Sequence, residues 1–199
     1  MSKNLTGMSK FVAWVLRHKP GEIGIELDEN GWVDIDDLVS CAVAYQQAKG
    51  FDQLTHELLD EIVSTDKKGR YEYSEDGWMI RACQGHSVNV DLGLDPKEPP
   101  LVLYHGTAQR FVKSIRKDGL QKRNRTHVHL SKTYDEAVKV GKRHGKPVVL
   151  AVKAGEMHDD GFEFFLSKNK VWLTDNVPPE YIELTNKDDA LFPLFEDED

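Results

Sequence analysis

The stretch Leu103–Ser131 constrains this chain most, because strand-like apolar ends bracket a basic helix and place His105, His127 and His129 beside compact polar residues. Its order is strand, helix, loop, strand. Leu101, Val102, Leu103 and Tyr104 make a short β-prone run that Gly106-Thr107 is expected to interrupt, and Phe111, Ile115 and Leu120 suit a helix ending near Gly119. Val128 and Leu130 alternate with His127, His129 and Ser131, which predicts one apolar and one polar strand face. His105, just before a glycine, and His129 on a second strand are therefore candidates to line one cleft. Histidines at strand ends also serve as hydrogen-bonded packing residues, so the pair needs support from the rest of the chain.

Metal chemistry finds no such support: Cys41 and Cys83 are far apart in sequence, and no HExxH or CxxC spacing occurs. With 199 residues, 39% of them hydrophobic, the chain can bury one sizeable core or two small ones. Its mean hydropathy of -0.54 is that of a soluble globular protein. No apolar run approaches the roughly 20 residues of a membrane span. The N-terminal MSKNLTGMSK lacks the apolar centre of a signal peptide, and two cysteines cannot build a disulfide framework. The expectation is a cytoplasmic monomer with no membrane partner.

The net charge of -8 argues against a sequence-blind nucleic-acid coat protein, but the charge is unevenly spread. Residues 1–92 carry 9 Lys+Arg against 16 Asp+Glu, residues 93–187 carry 17 against 12, and the tail from 188 onward adds six acids. A basic middle portion suits phosphate groups, whereas the terminal FEDED run reads as a solvated, disordered end.

Before that middle portion, Leu5, Met8, Phe11, Val12, Val15 and Leu16 fall at helical spacing, and Pro20 predicts that the helix stops just short of it. Arg17 and His18 occupy the last turn, where the helix dipole favours cations and where a phosphate would also find donors. Asp34 is placed to cap a second helix through Leu38, Val39, Ala42 and Val43, and a third begins at Thr55 with Leu54 and Leu59 at staple spacing. Arg70–Tyr73 and Trp78–Ala82 flank Ser74-Glu75-Asp76-Gly77, a hairpin signal. Three helices followed by a hairpin is the order of a winged helix. The third helix, THELLDEIVSTD, is acidic and offers no Arg, Asn or Gln for reading base edges, which argues against major-groove recognition.

The module instead offers Arg17, His18, Arg70 and the loop Gln84-Gly85-His86-Ser87 to a ligand, small residues there allowing close backbone approach. Asp91–Pro100 reads as a linker. Beyond Leu103–Ser131, a helix over 133–144 and strands over 148–152, 162–166, 170–173 and 181–184 complete a small α+β domain with a split, mainly antiparallel sheet.

The motifs VLRHKP, KKGRYEY, IRACQGHS, LYHGT, RTHVHLS and VWLT, in this order between about Met8 and Leu184, resemble the NAD-dependent RNA 2'-phosphotransferases of the KptA family. The resemblance implies an N-terminal winged-helix, RNA-binding lobe (1–92), a linker (93–99) and a C-terminal lobe like ADP-ribosyltransferases (100–187), followed by the acidic tail (188–199). The active site is expected between the lobes. NAD is implied as consumed co-substrate, without the GxGxxG fingerprint that this chain lacks. The implied partner is 2'-phosphorylated RNA, extending to tRNA-like substrates of splicing. The catalytic set falls on Arg17, His18, Arg70 and Arg125. Gln84, Gly85, His86 and Ser87 would join Arg17, His18 and Arg70 at the RNA phosphate. His105, Gly106, Thr107, His129 and Ser131 would hold NAD, and no metal is expected. Val171 stands where many protein-modifying relatives carry glutamate. Two other readings remain open: ADP-ribosylation of phosphate ends without phosphate transfer, and an NAD-sensing module without catalysis.

Overall fold

A computed structural model describes residues 3–49 and 52–185. The acidic tail 188–199 lies outside the described residues. The chain is mixed helix and sheet, and it divides into two compact units. The first comprises residues 1–94 together with 124–126 and 167–169, and the second comprises the remainder.

In the first unit, α1 (Lys3–His18) presents Leu5, Met8, Val12, Val15 and Leu16 to a core shared with α2 (Ile35–Lys49) and α3 (His56–Thr65). Local chemistry sets the helix starts. Asp34 Oδ1 accepts from Asp36 N at 2.8 Å and Asp37 N at 3.2 Å, and Thr55 Oγ1 accepts from Leu58 N at 3.2 Å. β2 (Tyr71–Tyr73) and β3 (Met79–Ala82) form the hairpin around the Ser74–Gly77 turn. β1 (Val33–Asp34) pairs with the far edge of β3, giving an antiparallel order β1-β3-β2.

Among the described residues the second unit contains three small antiparallel sheets. The largest joins β4 (Leu103–Ala108), β7 (Pro147–Val152) and β11 (Ile182–Leu184) in the order β11-β7-β4. β6 (Val128–Leu130), β8 (Phe165–Leu166) and β9 (Trp172–Thr174) pair in the order β6-β9-β8, and β5 (Leu120–Gln121) pairs with β10 (Asn176–Val177). Three helices accompany them: α4 (Val112–Asp118), which ends at Gly119, α5 (Tyr134–Gly141), started by a Thr133–Glu136 capping box, and α6 (Ala154–Asp159). Leu103, Leu130, Leu150, Met157 and Phe164 centre this unit's own core.

Gly106-Thr107 does not interrupt the first strand: β4 runs through both and pairs in register with Val149 and Val148. The glycine is needed for a different reason. A Cβ at Gly106 would overlap the backbone carbonyl of Ala137 in α5, so its absence lets helix and strand touch through their main chains. The helix expected over 133–144 also shortens, with Gly141 ending α5 and Lys142–His144 forming a single 3-10 turn. α6, β5 and β10 had no counterpart in the sequence reading.

Candidate active site

The end of α1 organises the polar chemistry of the first unit. A helix leaves its last carbonyls without intrahelical donors, and here the loop after β3 supplies them. Ser87 N donates to Arg17 O at 2.8 Å, Val88 N reaches the same oxygen at 3.4 Å, and Ser87 Oγ lies 2.9 Å from His18 Nδ1. Gly85, at φ +90°, carries the loop past Arg17 in a conformation that side chains rarely adopt. Gln84 is half-buried on that loop.

Arg17 Nη2 approaches Arg70 O at 3.5 Å, while its Nε is buried with no hydrogen-bond partner among the described residues. Arg70 is held by Asp66, whose side chain is only 3% exposed. The carboxylate accepts from Arg70 N and from Arg70 Nη1, both at 2.6 Å, and from Lys68 N at 3.2 Å. The 66–70 turn is thus wound around one carboxylate that also fixes the guanidinium.

Arg125 belongs with this group although it lies far along the chain. Thr126 N donates to His86 O at 3.1 Å, and 124–126 fold as part of the first unit. All four catalytic candidates, Arg17, His18, Arg70 and Arg125, therefore belong to one unit, where the sequence had divided them between the two halves of the chain. Arg125 and His18 are exposed, and Arg17 and Arg70 are half-buried. The ring of His86 differs from its expected role on a ligand: it is fully buried, and neither nitrogen has a partner among the described residues.

The electrostatics follow from this crowding. Burial weakens Arg17's hold on its proton, and the charges of Arg70 and Arg125 add to the effect against the opposing influence of Tyr71 and Cys83. His18 is pushed down by burial and then by Arg17 and Arg125. His86 is pushed down to about 4, chiefly by burial and further by Arg17, His18 and Arg81. Mutual repulsion among cations disfavours such a cluster until an anion neutralises it.

Supporting residues escaped the sequence reading. Glu72, 9% exposed, bonds Arg81 Nε at 2.7 Å and Lys168 Nζ at 2.8 Å, and Arg81 Nη1 reaches the carbonyls of Asn30 and Leu92 at 3.1 Å. Asn169 Nδ2 donates to Lys68 O at 3.1 Å, bracing the turn that carries Arg70. The spacing of Asp66 to Arg70 was a readable signal; the contributions of Lys168 and Asn169, a hundred residues downstream, had none.

In the second unit the HGT and HLS motifs lie side by side. Tyr104 and Ser131 exchange main-chain hydrogen bonds of 2.9 and 2.7 Å, and His105 Nδ1 lies 3.1 Å from His129 O. His105, His129 and Ser131 are half-buried, while Gly106 and Thr107 are buried. The Tyr104 and Tyr134 rings meet edge to face at 6.2 Å. The five residues expected to bind the co-substrate are thus gathered on two neighbouring strands and the turn after the second.

Fold and site together define a mixed α+β protein whose first unit concentrates guanidinium groups. Comparison with known proteins narrows the class. The model of the "RNA 2'-phosphotransferase, Tpt1 / KptA family" matches residues 3–176. A "Probable RNA 2'-phosphotransferase" of Flavobacterium johnsoniae is 50% identical over 184 residues, covering 92% of this chain and 98% of that protein. Proteins of the same description from Rhodopirellula baltica and Escherichia coli are 52% and 50% identical, covering 90% and 91% of this chain and 96% of each of those proteins. The chain belongs to the RNA 2'-phosphotransferase, Tpt1 / KptA family.

Proposed function

We propose that this protein removes an internal 2'-phosphate from RNA by transferring it to NAD, giving 2'-OH RNA, nicotinamide and ADP-ribose 1'',2''-cyclic phosphate. The observation that carries the reading is the association of Arg17, Arg70 and Arg125 with His18 in one unit, with the Arg17 Nε buried and without a partner among the described residues. In this reading the first unit is a winged helix that recognises the RNA phosphate, and the second is an ADP-ribosyltransferase-like unit that binds NAD. The close approach of Gly106 to α5, the tethered His105 ring and the paired Tyr104 and Ser131 backbones suit a rigid seat for a nucleotide. His105, Gly106, Thr107, His129 and Ser131 would hold the co-substrate.

The chemistry asks little of a base. The RNA 2'-phosphate is already an anionic nucleophile, so orientation by guanidinium forks is the main requirement. Attack of a phosphate oxygen on the nicotinamide-bearing ribose carbon forms a C–O bond as the bond to nicotinamide breaks. The neighbouring ribose hydroxyl then attacks phosphorus, and the RNA 2'-oxygen leaves and takes up a proton. Arg70 and Arg125 would stabilise charge on the phosphoryl oxygens in this second step, with His18 placed to move the proton.

Incubation with NAD and an RNA bearing one internal 2'-phosphate, in EDTA, tests the reading. Nicotinamide, 2'-OH RNA and the cyclic phosphate should appear in equal amounts; inorganic phosphate released without NAD consumption would overturn it. Rapid quench of Arg70→Ala or Arg125→Ala should reveal ADP-ribosylated RNA accumulating. Proportionate loss of both steps without that species would assign these arginines to substrate docking.

A further inference from the structure

One cationic surface lies outside the site described above, on the second unit. Residues 109–146 contain twelve Lys and Arg against three Asp and Glu, and the fold gathers part of that excess at one corner. The register of β4 with β7 sets Ala108 opposite Pro147, and Gln109 N donates to Lys146 O at 3.0 Å. This brings the turn before α4 against the 3-10 turn after α5, where Arg110 Nη1 comes within 3.4 Å of the Cβ position of Gly145. Arg110, Phe111, Lys142, Arg143, His144 and Lys146 are all exposed there. None of the four Lys and Arg forms an ion pair within the described residues. Phe111 is 36% exposed and carries the Arg110 guanidinium over its ring at 4.7 Å.

Exposed cations around an aromatic face are the two elements of single-strand recognition: charges that follow a phosphate backbone and a ring on which a base stacks. Trp78, 66% exposed on the first unit, shares its surroundings with Asp36 and Asp60, whose charges repel a polyanion. We propose that the corner formed by Arg110, Phe111, Lys142, Arg143, His144 and Lys146 docks a single-stranded segment of the RNA substrate. This rests on the proposed function for the identity of the substrate, and it adds a surface that engages neighbouring phosphates and one base.

The test compares the intact protein with an Arg110→Ala/Arg143→Ala/Lys146→Ala variant and with Phe111→Ala. Turnover is measured on a 2'-phosphorylated dinucleotide and on a 2'-phosphorylated oligonucleotide of about 12 nucleotides. The triple variant should raise KM for the oligonucleotide about tenfold and flatten its logarithmic salt dependence by about two to three. KM for the dinucleotide, KM for NAD and the melting temperature should stay within about twofold or a few degrees of the intact protein. Phe111→Ala should weaken oligonucleotide use with little change in salt slope. Equal damage to both RNAs, a raised KM for NAD, or unchanged use of the oligonucleotide would each overturn the proposal. Fluorescence anisotropy with an unphosphorylated oligonucleotide separates it from the reaction itself: binding lost in the triple variant supports the surface even if no phosphate is transferred, and equal binding by both proteins refutes it.

Discussion

The guanidinium cluster of the first unit and the basic corner of the second use the same residue types under opposite conditions. Arg17 and Arg70 are half-buried, backed by Gly85 and by the almost fully buried Asp66, with their carbonyls accepting from Ser87 N and Cys83 N and Arg70 held on the Asp66 carboxylate. Arg110, Arg143 and Lys146 stand in solvent with no ion pair among the described residues. A desolvated, oriented cation acts strongly on one oxyanion because water screens it little, and its folded environment bears the repulsion. A solvated cation acts weakly, tolerates movement, and adds to its neighbours along a polyanion. The first arrangement suits recognition of a single phosphate and the second suits a strand.

The contrast is sharpest at Arg17. Arg17→Met should reduce turnover of 2'-phosphorylated RNA by about 100-fold or more, the effect of losing one preorganised charge donor. It should leave the melting temperature unchanged or raise it, because a partly desolvated cation beside like charges is replaced by an apolar chain. Arg17→Lys should restore little activity, since a point charge replaces a planar fork. A melting temperature several degrees lower would show that the guanidinium holds the fold together, and the distinction from the solvated corner would fail. Steady-state kinetics and calorimetry check both halves.

His86 is fully buried, and its burial predicts a pH signature. Released by unfolding, the ring titrates near its ordinary 6.5, whereas in the folded chain burial pushes it down to about 4. Between these values the unfolded chain takes up a proton that the folded chain refuses, so stability falls as pH falls through that window. The loss has an upper bound of about 3 kcal/mol. Denaturant titration across this range should show the slope in the intact protein and a flatter profile in His86→Phe. Equal slopes would assign the acid sensitivity to other groups.

Glu72 should show the same ordering of pKa values, folded below unfolded, and the same acid weakness. Burial raises its carboxyl, but hydrogen bonds and charge from Lys168 and Arg81 outweigh burial and hold it below the ordinary 4.5. Its stabilisation is present above that ordinary value and is lost as pH falls through the lower folded one. Glu72→Gln should destabilise by about 2 kcal/mol near neutral pH, the loss of charge-assisted hydrogen bonds to one buried acceptor. Urea unfolding measures it. At the weak end, Arg143→Ala alone should change oligonucleotide affinity only about twofold to threefold and leave stability within about 0.5 kcal/mol. A much larger effect on either quantity would mean that the corner is organised like the buried cluster.

By itself the sequence determined the elements whose causes are local. Pro20 ends α1 and leaves Arg17 and His18 in its last turn, Thr55 and Thr133 start helices through hydrogen bonds within one turn, and Val128 and Leu130 point inward because a strand alternates. The ordered motifs also carried the family, since they preserve residue types at fixed spacing along the chain. Tertiary structure decided what depends on distant partners. Gly106 reads as a break until Ala137 is seen against it, and Arg125 reads as part of the second half until Thr126 bonds His86. His86 reads as a ligand donor until its ring is found enclosed, while Lys168 and Asn169 have no visible role until they meet Glu72 and Lys68. Capping and alternation are energies between residues a few positions apart, which a sequence displays directly. Burial and ion pairing are energies between residues brought together by folding, and their sign depends on neighbours that linear order does not reveal.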